Sequence, residues 1–259
     1  MGKPGILYVT IEHAPTLSRV AFEDWYNNEH GPLRLQLPFI TSGRRYRATD
    51  GESPPWMAVY DVTDLDHMKS PAYTDLAAQP SPREREVLKH IRSTRYFYEE
   101  ELSAGSVNDT DRVPTFFMTL RMFLPKGASP ADRDAMAADV HRWYLDEHVP
   151  LLEKIPGWLR SRRFRLAPAF HPDQDPHWLA IHEYRAAHGN GGPEFRYATS
   201  TVWRQRIMTD TTQERRNYLL HYQPSSSSPS PSPTAPGAPT ASRATPTRAP
   251  PSWSSSTAS

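Results

Sequence analysis

One pattern, Trp-Tyr-x-x-Glu-His-x-Pro-Leu, occurs twice in this chain, and its recurrence restricts the possible folds more than any other feature. The first copy reads WYNNEHGPLRLQLPFITSGRRYR from Trp25 and the second reads WYLDEHVPLLEKIPGWLRSRRFR from Trp143. Without a gap, Trp25, Tyr26, Glu29, His30, Pro32, Leu33 and Pro38 match Trp143, Tyr144, Glu147, His148, Pro150, Leu151 and Pro156. The register continues through Arg44, Arg45 and Arg47 against Arg162, Arg163 and Arg165. Agreement of this length, with rare tryptophans in it, marks an internal duplication. The chain reads as two related halves.

Around each copy the expected elements fall in the same order. In the first half, the short β-branched run Ile6–Ile11 predicts a strand. Phe22, Trp25, Tyr26 and Leu33 then recur at helical spacing, and Gly31-Pro32 is expected to end that helix with His30 at its C-terminus. Strands follow at Thr41–Thr49 and Trp56–Val62, helical pieces at Leu65–Leu76 and Arg83–His90, and a last strand at Thr94–Glu100. The second half predicts strand Thr115–Phe123 and helix Ser129–Glu147, with Ser129 as cap and Pro130 at the first helical position. Strands Gly157–Leu166 and His177–Tyr184, helix Glu194–Arg206 and strand Arg216–Tyr222 complete it.

A strand-helix-strand-strand-helix-strand unit is the ferredoxin-like arrangement, which leaves one sheet face bare. A second copy covers that face. The expected fold class is therefore α+β: two tandem ferredoxin-like βαββαβ units that form an intramolecular α+β barrel. The expected divisions are residues 1–103, a linker at 104–113, residues 114–223, and a tail at 224–259. The tail is rich in Ser and Pro, with Trp253 its only large apolar side chain, a composition expected to stay disordered.

Charge and composition narrow the function classes. Lys and Arg (30) nearly balance Asp and Glu (29), so no general field attracts nucleic acid or anionic lipid. The absence of cysteine removes disulfides, thiolate metal sites and a cysteine nucleophile. No apolar run is long enough for a signal peptide or a membrane span, so a cytoplasmic protein is expected.

The motif, the later proline and the Arg/Tyr-bearing strand resemble the EthD-like branch of the dimeric α+β barrel superfamily, and tandem proteins of this kind from fungi look similar. The resemblance spans about residues 6–222. It implies a pocket between sheet and helices in each half, with the motif histidine facing it, and relatives that work without metal or organic cofactor.

Imidazole can take and give a proton near neutral pH, so His30 and His148 are the candidate catalytic groups, against a reading in which each only caps its helix. Tyr26 and Tyr144 lie on the apolar stripe, and their buried hydroxyls need partners that a substrate oxygen can supply. Strand alternation puts Arg44 and Tyr46 on one face, answered by Arg162 and Phe164. These arginines either hold a substrate anion or pair with an acid across the barrel. Tyr26, Arg44, Tyr46, Tyr144 and Arg162 are thus the expected substrate-binding residues. Glu29 and Glu147 are expected on the surface or in ion pairs, and a cation between His171 and His177 is the weaker metal idea. No metal and no cofactor are expected.

The leading expectation is a cofactor-independent lyase, isomerase or cyclase that moves a proton next to a carbonyl of a hydrophobic, oxygenated, polyketide-like small molecule. Its rival is a non-catalytic binding or structural barrel. Partners are expected to be a small-molecule substrate, with no nucleic acid and no membrane; the halves form a pseudo-dimer, and a further homodimer stays open.

Overall fold

A computed structural model describes residues 2–108 and 110–224. The expected tail lies outside the described residues from 225 onward. Among the described residues no helix is long and apolar enough to cross a membrane.

The chain runs through β1 (Gly5–His13), α1 (Arg19–Trp25), a π turn (Tyr26–His30), α2 (Gly31–Leu35), β2 (Ile40–Ala48), β3 (Trp56–Val62), α3 (Pro71–Ala78), α4 (Pro82–Leu88) and β4 (Ile91–Gly105). It continues with β5 (Phe116–Phe123), α5 (Pro130–Trp143), a second π turn (Tyr144–His148), α6 (Val149–Leu152), β6 (Trp158–Leu166) and β7 (His177–Tyr184). Then come α7 (Pro193–Ala198), α8 (Val202–Asp210) and β8 (Thr212–Tyr222).

The strands close into one antiparallel barrel in the order β1-β3-β2-β8-β5-β7-β6-β4. Each half of the chain supplies a run of neighbours, β4-β1-β3-β2 and β8-β5-β7-β6, and the runs join at β2–β8 and β4–β6. Closure pairs every strand on both sides and leaves no edge.

Four differences from the expected elements have physical causes. The motif helix does not stop at Gly31-Pro32. Proline lacks an N–H and its ring strikes the carbonyl four residues back in a regular helix. The chain answers with a wider turn, in which the Gly31 N–H donates to the Tyr26 carbonyl five residues back, and then continues as α2. The second copy does the same from Val149 to Tyr144, so His30 and His148 sit in π turns and not at helix ends. β4 runs to Gly105, into the expected linker, because its far part pairs with β6 as far as Gly105↔Arg160. The expected helix Glu194–Arg206 is two helices, since Thr201 leaves helical geometry and its hydroxyl caps α8 by accepting from the Arg204 N–H.

Strand alternation divides the core. Ile6, Tyr8, Tyr46, Val59, Phe117, Phe164 and Ile181 fill the barrel interior. On the outer face, Leu7, Val9, Phe22, Trp25, Tyr26, Trp56 and Tyr60 pack the first-half helices on the sheet. Val140, Trp143, Tyr144, Ala180 and Ile207 do so in the second half. Burying one such large side chain contributes about 1.5–3 kcal/mol.

Candidate functional site

The π turn turns Trp25, Tyr26 and His30 toward one another, with the His30 ring 4.5 Å from Trp25 and 5.0 Å from Tyr26. From α4, Glu84 Oε1 comes within 2.7 Å of His30 Nδ1. The two side chains are 13% and 4% exposed, so water competes little for this bond. Arg34, one turn beyond His30, donates from Nη1 to the His30 carbonyl at 3.1 Å and holds Nη2 at 3.5 Å from Glu84 Oε1.

Glu84 is fixed by its own helix start. Ser81 caps α4 by accepting the Glu84 N–H at 2.9 Å, and its hydroxyl donates to Glu29. A Ser-x-x-Glu pair of this spacing usually closes on itself as a capping box. Here the glutamate turns to His30. The motif glutamate Glu29 therefore clamps α4 against the motif helix, and in the second half Thr201 donates to Glu147 at 2.6 Å in the same way.

Electrostatics fix the protonation pattern of the pair. Burial, the largest influence, lowers the His30 pKa to about 4, while the bond to Glu84 pulls the other way. Burial alone would raise Glu84, but its bond to His30 and the charge of Arg34 leave its pKa below the usual value. At neutral pH an ionised carboxylate thus faces a neutral imidazole. A carboxylate can only accept, so Nδ1 carries the proton and Nε2 carries the lone pair. No hydrogen bond among the described residues engages that nitrogen.

His30 lines a cavity of ≈ 30 Å³ together with Tyr26, Arg34, Tyr60, Tyr73 and Leu88. That is room for about two waters. The Tyr26 and Tyr60 hydroxyls are 2.7 Å apart. Burial raises both phenol pKa values, so both keep their protons; one O–H serves the pair and the other is left to donate to an oxygen.

The matching place in the second half is chemically different. The third residue after the helix cap is Arg204 where α4 has Glu84. Leu152 stands at the position of Arg34. His182 replaces Tyr60, as the pairings Gly43↔Tyr60 and Ser161↔His182 show. His148 stacks on Trp143 at 4.3 Å, and its Nδ1 has no hydrogen-bond partner. Burial first, then His182 and Arg204, hold its pKa well below the usual histidine value. No carboxylate orients this imidazole.

The expected substrate residues do not gather at one site. Tyr26 joins His30, and Tyr144 lies 5.3 Å from His148. Arg44, Tyr46 and Arg162 are on the opposite, interior face of the sheet, which corrects the expectation that Arg44 and Tyr46 work beside His30. Tyr46 packs against Phe117 with centroids 4.0 Å apart. Arg44 Nε donates to Gln223 at 3.0 Å. Arg162 pairs with Asp61 and reaches Glu183 at 3.6 Å. Burial would raise the Asp61 pKa, yet Arg162 and Ser42 bring it down to about 2. Arg162 thus meets acids on other strands, whereas the bond shown for Arg44 goes to an amide.

His171 and His177 are engaged elsewhere: the Phe97 N–H donates to His171 Nε2 at 3.1 Å, and His177 Nε2 lies 2.8 Å from the Tyr98 hydroxyl. Among the described residues no three of His, Asp or Glu gather where they could hold a metal ion. Sequence reasoning did not single out Glu84, Arg34 or Tyr60 for the His30 site. The Ser81-x-x-Glu84 spacing was the available signal, and it reads first as a helix cap.

A closed antiparallel barrel with helices packed on its outside defines the class of α+β barrels. No protein-family model and no curated protein matches the sequence. Solved structures do match. A monooxygenase-like protein from Lactobacillus acidophilus is 11% identical over 85% of this chain and 95% of its own, with a TM-score of 0.51. An anthrone oxidase-like protein is 9% identical over 86% and 93%, with a TM-score of 0.50. A variant of chlorite dismutase from Candidatus Nitrospira defluvii is 8% identical over 85% and 92%, with a TM-score of 0.51. At such identities the likeness establishes the fold alone.

Proposed function

We propose that the first half holds a cofactor-independent acid/base site that moves a proton next to a carbonyl of a small oxygenated molecule. The reaction class is that of an isomerase, lyase or cyclase. The observation that carries this reading is the His30–Glu84 pair, an oriented neutral imidazole whose free nitrogen belongs to a cavity-lining residue. His30 Nε2 takes the proton from carbon. The spare phenol O–H of the Tyr26–Tyr60 pair donates to the carbonyl oxygen and stabilises the enolate as charge develops there. Arg34 adds positive charge behind Glu84, and Arg95 stands at the exposed rim of the same cavity. The imidazolium formed is held by the Glu84 carboxylate until it returns the proton. The second half serves as a structural companion.

A cavity of ≈ 30 Å³ is smaller than any such substrate, so entry requires a wall to move. α3 is suited to this, because it carries Tyr73 and buries none of its residues. The same smallness favours a second reading, a barrel that binds or supports without turnover. A tandem EthD-like protein with two ferredoxin-like halves, residues 1–103 and 114–223, is the lineage this reading fits, and the strand runs β4-β1-β3-β2 and β8-β5-β7-β6 support it.

Hydrogen–deuterium exchange at the α-carbon of acetophenone and two bulkier aryl ketones, followed by NMR in D2O, tests the proposal. Exchange above buffer should fall about 10²- to 10⁴-fold in His30→Ala and stay unchanged in His148→Ala. Wild-type exchange no faster than buffer would favour the non-catalytic barrel. Exchange untouched by His30→Ala would refute the assignment of the base.

A further inference from the structure

The two halves differ most in the length of the helix that leads into the motif. α1 has 7 residues and α5 has 14, and both end at the motif tryptophan. The extra turns of α5 stand over the outer face of β6 and β7, where α1 has no counterpart, and wall a groove of ≈ 410 Å³. Such a volume suits a small organic ligand. Its apolar lining is Trp178, Leu124, Pro130, Ala137 and Pro176. Ala137 is small enough to leave space at the indole.

The charges at this groove are of two kinds. Glu101 is committed to Arg163 at 2.9 Å, and Arg165 to Glu99 at 2.8 Å. Lys126, Arg133, Asp134 and Asp175 also line it, and no ion pair joins any of them to a described residue. The Arg133 Nε is moreover buried with no hydrogen-bond acceptor.

We infer that this groove binds a zwitterion with a flat apolar body, the chemistry of an aromatic amino acid. Its ring lies against Trp178, its carboxylate meets Arg133 and Lys126, and its ammonium meets Asp134 or Asp175. An anion alone would leave the two aspartates as repulsion, and a cation alone would leave Lys126 and Arg133 as repulsion. The site is independent of the His30 cavity and of any reaction there.

Calorimetric titration of the full chain with L-phenylalanine, 3-phenylpropionate and phenethylamine tests this. L-Phenylalanine should bind at one site per chain and more tightly than either singly charged analogue. Arg133→Ala should weaken L-phenylalanine and phenylpropionate about tenfold or more and spare phenethylamine, whereas Asp134→Asn should do the reverse for the two analogues. Ala137→Phe should fill the groove and abolish all binding, and Tyr197→Ala, outside both the groove and the His30 cavity, should leave L-phenylalanine binding unchanged. Circular dichroism confirms that each variant is folded. No L-phenylalanine binding in the wild type, equal binding in Arg133→Ala, or loss in Tyr197→Ala alone would overturn the inference.

Discussion

An imidazole with one nitrogen bonded to a carboxylate has its tautomer set by that bond, and in this chain the bond is His30 Nδ1 to Glu84 at 2.7 Å. Removing the negative charge while keeping an acceptor is the informative change. Glu84→Gln should slow ketone exchange about tenfold or more, because the imidazolium formed during proton abstraction loses its counter-charge. Acidity acts on the same atom. The folded-state pKa of about 4 keeps the Nε2 lone pair free at higher pH, so exchange should be level from neutral pH down to about pH 5. It should then fall as pH drops through 4 and Nε2 takes a proton. A single fall near pH 6.5, the ordinary histidine value, would show a solvated imidazole instead of a buried one.

At the scale of elements, much was legible and the exceptions are instructive. Trp56–Val62 and His177–Tyr184 are strands with the expected ends, and Ser129 caps α5 as its sequence signals. Alternation also grouped Arg44 with Tyr46, and Arg162 with Phe164, correctly. It could not say which side of the sheet they face. A period of two fixes parity only, and here both faces are covered, one by the barrel interior and one by helices, so apolar residues occur on each. The π turn was hidden for a related reason: Gly-Pro marks a break in the α-helical ladder whether the helix stops or widens. Glu84 was hidden because its partner lies 54 residues away in sequence. The equivalence of α4 and α8 leads to a prediction. Arg204→Glu should bring a carboxylate to His148 as Glu84 is brought to His30. It should also remove a cation that depresses the His148 pKa. NMR titration should show the His148 pKa rise by about one unit or more, the size expected when an opposite charge replaces a like one. An unchanged titration would mean that α8 does not sit over His148 as α4 sits over His30.

Among the described residues the strands form one closed barrel whose halves preserve packing and diverge in chemistry. Trp25 and Trp143, Tyr26 and Tyr144, and the serine or threonine clamp on the motif glutamate are all kept. Even the surroundings of the buried arginines are kept in kind. Arg163 contacts Glu101 on β4 and His141 on α5, while near Arg45 the histidine is His221 on β8 and the glutamate is Glu23 on α1. The acid and the histidine have exchanged elements, and one of each is retained at both places. The His30 surroundings show no such compensation: the first half has a carboxylate and a guanidinium, and the second has Arg204 and Leu152. The account therefore rests on one oriented histidine in a duplicated frame. Its most direct test is nitrogen-15 NMR of histidine-labelled full-length protein, followed from pH 8 to pH 4 with Glu84→Gln as control. His30 should be neutral and Nδ1-protonated at neutral pH and titrate near pH 4, and in the variant, which keeps an acceptor but loses the charge, it should titrate lower still while His148 is unaffected. A His30 that is protonated at neutral pH, or carries its proton on Nε2, would contradict it.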